Sequence, residues 1–296
     1  MILEFHSGAV TAKLESSQKV LVSNVAFELQ EGECLALIGE TGSGKTMTAM
    51  LLMGLLPSNV SAADARITFC GEPIPKSRQK LLGVEMVYIP QNGLEFLNPS
   101  KKVRSHLYDS LQKLGVRRKQ RESIALQKLA EVGFEQPETV IDKYPFQLSG
   151  GMAQRVTIAI AACSQAKLVI ADEPTNGLDH EAKVRFMDML KNLFPDAAKL
   201  IITHDIGVAA LCAKTLVLCG GKMMETGPSS MLLSQPKHPY TTALIRALVK
   251  NGMCETPTLR SGIHDCPFYT KCAQGNDNCC RCHKQGNGRE WWCSQE

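Results

Sequence analysis

The stretch Gly39-Glu40-Thr41-Gly42-Ser43-Gly44-Lys45-Thr46 constrains this chain more than any other. Before it comes the apolar run Cys34 to Ile38, which reads as a buried strand. After it come Lys45 to Leu56, good helix formers with a stop at Pro57. Strand, glycine loop and helix in that order bring successive backbone N–H donors and a helix N-terminus to one point, an arrangement that grips phosphate. Lys45 adds a point charge for the outer phosphates, and the Thr46 hydroxyl is a ligand for magnesium. The expected ligands are a nucleoside triphosphate and Mg2+.

Further short apolar runs follow at 86–90 (MVYIP), 168–172 (LVIAD), 200–204 (LIITH) and 215–220 (TLVLCG), separated by helical patterns such as 183–194. Strands alternating with helices predict an α/β fold on a mostly parallel, covered sheet. A chain of 296 residues with 44% hydrophobic and 21% charged residues can build that core, and a disordered or polytopic membrane chain is excluded. The formal charge of +4 is too small to argue for nucleic acid. The longest apolar run, Met47 to Leu56, is half of the roughly 20 residues that cross a bilayer. The opening MILEFHSGAV has neither a basic nor an apolar targeting region, so a cytosolic protein is expected.

A helical insert is expected from about 93 to 162, with the basic run RRKQR (117–121) as a solvated helix start or loop. The domain reading is a nucleotide-binding unit over 1–235 and a C-terminal extension over 236–296, opened by a helix at KHPYTTALIRAL (237–248). Of the twelve cysteines, Cys34, Cys70, Cys163, Cys212 and Cys219 read as small buried hydrophobes, while seven crowd the last 43 residues. From Asn276 onward the tail is too poor in aliphatics to close on a hydrophobic core, so something else must order it.

A phosphate site also needs a second magnesium contact and a group that orients water. Asp172 ends the strand LVIAD, where α/β ligands bind, and suits the metal. Glu173 follows it and suits a general base acting on water.

Leu148-Ser149-Gly150-Gly151-Met152-Ala153-Gln154-Arg155, upstream of the acid pair, resembles the signature motif of ATP-binding cassette (ABC) ATPases. Ser149 reads as the N-cap of a helix beginning near Met152. The resemblance covers roughly residues 20 to 235 and implies a phosphate-loop ATPase core with a helical subdomain. It implies that Ser149, Gly150 and Gly151 face the nucleotide held by another subunit. It also implies that Gln91 senses the γ-phosphate side and contacts the metal, that 174–179 (PTNGLD) links opposing subunits, and that His204 contacts the terminal phosphate. The family stacks adenine on an early aromatic side chain, and 8–21 (GAVTAKLESSQKVL) holds none.

Tyr144 to Ser149, Leu97-Asn98-Pro99 and especially His238-Pro239-Tyr240-Thr241 resemble the importers of oligopeptides, dipeptides and nickel or metal chelates. That branch implies a peripheral subunit on the cytoplasmic face of the membrane, a second and different ATPase subunit, two permease subunits and an external solute-binding protein. It also carries a C-terminal cysteine region, which holds a [4Fe-4S] cluster in some members. Here Cys266, Cys272, Cys279 and Cys293 supply four thiolates, with zinc, or cysteines without a ligand, as the alternatives. Other classes to weigh are a soluble cassette ATPase acting on ribosomes or DNA and a redox-sensing cassette.

Overall fold

The computed structural model describes residues 1–15, 17–247, 266–268, 272 and 283–293. Its N-terminal part holds the strands β1 (Leu3–His6), β2 (Ala9–Lys13), β3 (Gln18–Ser23) and β4 (Ala26–Leu29). Then come β5 (Cys34–Ile38), helix α1 (Lys45–Met53), β6 (Val60–Ala63), β7 (Arg66–Phe69), β8 (Glu72–Pro73) and β9 (Met86–Ile89). Five helices follow: α2 (Gly93–Phe96), α3 (Val103–Lys113), α4 (Arg118–Glu131), α5 (Pro137–Val140) and α6 (Gly150–Ala162). The chain then alternates through β10 (Leu168–Asp172), α7 (His180–Leu193), β11 (Ala198–Thr203), α8 (Ile206–Ala209), β12 (Lys214–Cys219) and β13 (Lys222–Pro228). It closes with α9 (Ser229–Ser234), α10 (Pro239–Arg246), β14 (His283–Gly286) and β15 (Arg289–Trp292).

The main sheet has eight strands in the order β14-β15-β13-β12-β5-β11-β10-β9. From β12 to β9 every pairing is parallel, which matches the apolar runs of the sequence: every residue of β5, β10 and β11 is buried. Continuous apolar strands of that kind need cover on both faces. Two separate clusters supply it. One joins the sheet to α3, α4, α6 and α7, and the other joins it to α1 and the N-terminal strands. Each fully buried Leu, Ile or Val adds about 1.5–3 kcal/mol relative to exposure.

Sequence periodicity did not foresee two small antiparallel sheets, β4-β1-β7-β8 and β3-β2-β6. Their strands are only two to six residues long, too short for a clear alternation. Helix α1 stops before the expected Pro57, because Gly54 takes a left-handed φ of 69° and turns its N–H back to Leu51 O at 3.1 Å. Helix α6 begins at Gly150, two residues before the expected start. Four of the five scattered cysteines are buried as expected, but Cys70 is exposed, at a turn with φ 53°.

The tail brings a further correction. Residues 283–293 form a hairpin whose β15 adds to the edge of the main sheet against β13. Arg289, 3% exposed, donates to Gln235 O at 2.6 Å and Met231 O at 3.3 Å, so its guanidinium caps the C-terminal end of α9. Main-chain pairing and one buried guanidinium do for this segment what aliphatic residues cannot.

Gly93 marks the tightest packing near the sheet edge. A Cβ there would stand 2.7 Å from Ala153 C and 2.8 Å from Gln154 N, so α2 lies directly on the backbone of α6. Gly93→Ala is expected to destabilise the chain by about 1–3 kcal/mol, read as a drop in thermal midpoint of several degrees. An unchanged midpoint would contradict this packing.

Candidate functional site

The loop after β5 can fold as it does because its glycines tolerate contacts that a side chain cannot. A Cβ on Gly39 would lie 2.2 Å from Leu218 O and 2.7 Å from Ser43 Oγ, and Gly44 turns into α1 with φ 99°. Gly221 N donates to Ser43 O at 3.0 Å, bracing the loop from the β12–β13 turn. Ser43 is 1% exposed, and its Oγ has no hydrogen-bond partner among the described residues. An unmet buried hydroxyl in a ring of backbone donors fits a polar ligand.

Lys45 is 8% exposed and folds back over the loop, donating from Nζ to Gly39 O at 2.7 Å and Glu40 O at 3.0 Å. Burial pushes its pKa down, and the charges of Glu173, Asp172 and Glu40 push it back up. Asp172, 6% exposed, ends β10 beside it. Thr46 Oγ1 at 3.2 Å and the Tyr88 hydroxyl at 3.3 Å both donate to Asp172 Oδ2, so neither engages Oδ1. Burial raises the Asp172 pKa most, and Glu173 adds to it; the bonds from Thr46 and Tyr88 and the Lys45 charge work against it. A hydroxyl and a desolvated carboxylate in contact are a donor set that suits Mg2+.

Glu173 follows with φ 46°, a left-handed backbone rare for a residue with a side chain and costing on the order of 1 kcal/mol. Its N–H is held by Ile202 O at 2.8 Å, while its Oε2 accepts the His204 N–H at 3.3 Å and pairs with His204 Nδ1 at 2.8 Å. The Glu173 carboxylate is largely covered and the His204 ring exposed, so this pair sits at the mouth of the site. β11 ends at Thr203, leaving His204 just beyond the sheet edge.

The expected residues therefore fall in two places. Gly39 to Thr46, Asp172, Glu173 and His204 gather at the C-terminal edge of β5, β10 and β11. Gln91 lies on the same edge after β9, exposed, next to Pro90, whose carbonyl accepts Gln154 Nε2 at 3.1 Å. Ser149, Gly150 and Gly151 sit apart at the exposed start of α6. Ser149 Oγ accepts from Met152 N at 3.3 Å, and among the described residues nothing beyond the adjacent chain and the helix's own backbone stands within 4 Å of where a Cβ would lie on either glycine. Sequence reasoning missed Tyr88; an aromatic residue inside an apolar strand gave no sign that its hydroxyl reaches the acid. The aromatic-free hairpin β2–β3 exposes Leu14 and Val20, and its Val22 packs against Gly44.

Of the tail cysteines, Cys266 and Cys272 are partly buried against the larger cluster, Cys293 is buried, and Cys279 lies outside the described residues. Among the described residues no three His, Cys, Asp or Glu side chains gather as a metal site. Among them, too, no helix is long and apolar enough to cross a membrane.

Residues 22–176 match the family model described as ABC transporter, and residues 224–279 match the oligopeptide/dipeptide transporter, C-terminal region. The dipeptide transport ATP-binding protein DppD of Escherichia coli (strain K12) is 34% identical over 282 residues, covering 90% of this chain and 86% of that protein. The nickel import ATP-binding protein NikD of Brucella abortus biovar 1 (strain 9-941) is 35% identical over 240 residues, covering 80% of this chain and 91% of that protein. In fold, the chain is similar to a dimeric bacterial ABC transporter cassette, MJ0796, with a TM-score of 0.67 and 23% identity over 77% of this chain and 99% of that one.

The desolvated Asp172 sets a pH expectation. With its folded pKa raised, the folded state holds the proton more tightly than the unfolded one, so the acid costs stability above its folded pKa and nothing below the ordinary value of 3.8. Asp172→Asn is expected to raise the ligand-free thermal midpoint at pH 7, with the gain narrowing as pH falls toward that value. A loss of stability at pH 7 would contradict this.

Proposed function

The chain belongs to the ABC transporter family as an ATP-hydrolysing subunit of a peptide or nickel importer, and we propose from that premise that the cluster around Lys45 and Glu173 runs its reaction. The carrying observation is the convergence of Lys45, Thr46, Asp172, Glu173 and His204 on one sheet edge by hydrogen bonds. ATP lies with its phosphates in the loop, where Lys45 exchanges the carbonyls of Gly39 and Glu40 for phosphate oxygens. Thr46, Asp172 and Gln91 would hold magnesium, which would supply positive charge for the outer phosphates. Glu173, aimed by its left-handed backbone, takes the proton of the attacking water. His204, held through Nδ1 by Glu173, offers Nε2 to the terminal phosphate. Exposed Val20 and Leu14 replace the missing aromatic ring under adenine.

Ser149, Gly150 and Gly151, exposed and separate from this cluster, complete the ATP site of a second ATPase subunit, as that subunit's serine and glycines complete this one. ATP then bridges two subunits, and hydrolysis releases them. The tie from Gln154 to Pro90 and the contact at Gly93 pass the movement between the signature helix and the Gln91 segment, which faces the permease. The subunit works with membrane permeases and is peripheral to the membrane. Its cytoplasmic side, an unlike ATPase partner and an external binding protein complete the proposed importer. The unit limits 1–235 and 236–296 belong to the same reading. Importer relatives favour this over a ribosome- or DNA-directed ATPase.

The cysteine tail supports a separate proposal, a [4Fe-4S] centre on Cys266, Cys272, Cys279 and Cys293, with zinc as the alternative. Iron and zinc analysis of anaerobically purified chain tests this, with about four irons or one zinc per chain expected. Absence of both metals would refute it.

Glu173→Gln is expected to keep MgATP binding while kcat falls by about 10²- to 10⁴-fold. Parent turnover in that variant would overturn the role of Glu173.

A further inference from the structure

A side chain of the C-terminal region, Tyr240, reaches the phosphate loop. Tyr240, 1% exposed near the start of α10, accepts the Glu40 N–H on its hydroxyl at 3.2 Å. That N–H belongs to the same planar peptide whose other end, Gly39 O, receives Lys45 Nζ at 2.7 Å. Rotating this peptide to lose one bond tilts the other. The loop amide thus has the tyrosine on one face and the lysine on the other.

The tyrosine is itself held from several sides. The Cys219 side chain, at the end of β12, stands beside the Tyr240 hydroxyl, and burial pushes the pKa of both groups up. Phe268 meets its ring edge-on at 5.4 Å, and the neighbouring Pro267 packs on Gly220. Its own N–H is fixed by His238 Nδ1 at 3.0 Å. The fully buried Glu225 carboxylate accepts the N–H groups of Lys237 and His238 at 3.0–3.1 Å, which anchors the start of α10. Burying a carboxylate and a phenol hydroxyl is costly, so this architecture is spent on placing one oxygen.

We propose that Tyr240 is a positioning residue of the ATP site: it fixes the Gly39–Glu40 peptide and with it the backbone of the phosphate loop. The proposal rests on the reading of this loop as the phosphate site. It makes the C-terminal region part of the nucleotide site rather than an appendage. Because the loop backbone meets phosphate in both the bound state and the transition state, loosening it weakens the two alike, which raises KM and leaves kcat.

The test uses the full purified chain, a fluorescent ATP analogue with magnesium, and steady-state hydrolysis. Tyr240→Phe removes the hydroxyl but keeps the ring against Phe268, and is expected to raise Kd and KM about threefold to tenfold with kcat within about twofold. A fluorinated tyrosine at 240, unchanged in fold contacts but a poorer acceptor, gives a smaller shift of the same sign. Unchanged Kd in Tyr240→Phe, or a fall in kcat at constant KM, would overturn the proposal. If Lys45→Ala alone binds nucleotide like the parent, the reading of the site itself fails instead.

Discussion

A buried lysine ammonium, held by two carbonyls of its own loop and faced by two carboxylates, is the interaction on which the rest of this molecule depends. Burying it is expensive even with those carboxylates near; the parallel sheet sets it there by ending β5 and β10 at the same edge, on either side of β11. The carboxylate of Asp172 carries the matching penalty. Both groups suit a ligand that is anionic on one side and carries a divalent cation on the other, and MgATP fits that description.

The geometry separates the chemistry from its control. The groups proposed for hydrolysis share one sheet edge, while the serine and glycines proposed to complete a second subunit's site stand at the start of α6, open to solvent. What joins the two within the chain is backbone contact: Gly93 against Ala153, and Gln154 on the Pro90 carbonyl. Such contacts have no slack, so a shift of α6 moves the segment after β9 with it. On the other flank, the tyrosine-borne link to the C-terminal region steadies the loop itself.

Much of this was legible in the sequence, for a physical reason. A phosphate loop, a buried strand ending in two acids and a serine-capped helix are all built from near neighbours, so Lys45, Thr46, Asp172, Glu173 and Ser149 could be named with their elements. What escaped depends on contacts between distant residues. Tyr88 and Tyr240 look like ordinary aromatic residues until the fold brings them to Asp172 and Glu40. The tail hairpin pairs with β13 some sixty residues earlier, a match no local pattern carries. Boundaries slipped where one conformation outweighed composition: Gly54 ended α1 ahead of the proline, and Cys70 was drawn into an exposed turn.

A crystal structure with magnesium and a nonhydrolysable ATP analogue tests the central claim most directly. The account predicts the triphosphate inside the loop, Lys45 Nζ moved from the Gly39 and Glu40 carbonyls onto its outer oxygens, and the cation between Thr46 Oγ1 and the Asp172 carboxylate. A triphosphate bound elsewhere, or one in the loop with Lys45 still on those carbonyls, would contradict it.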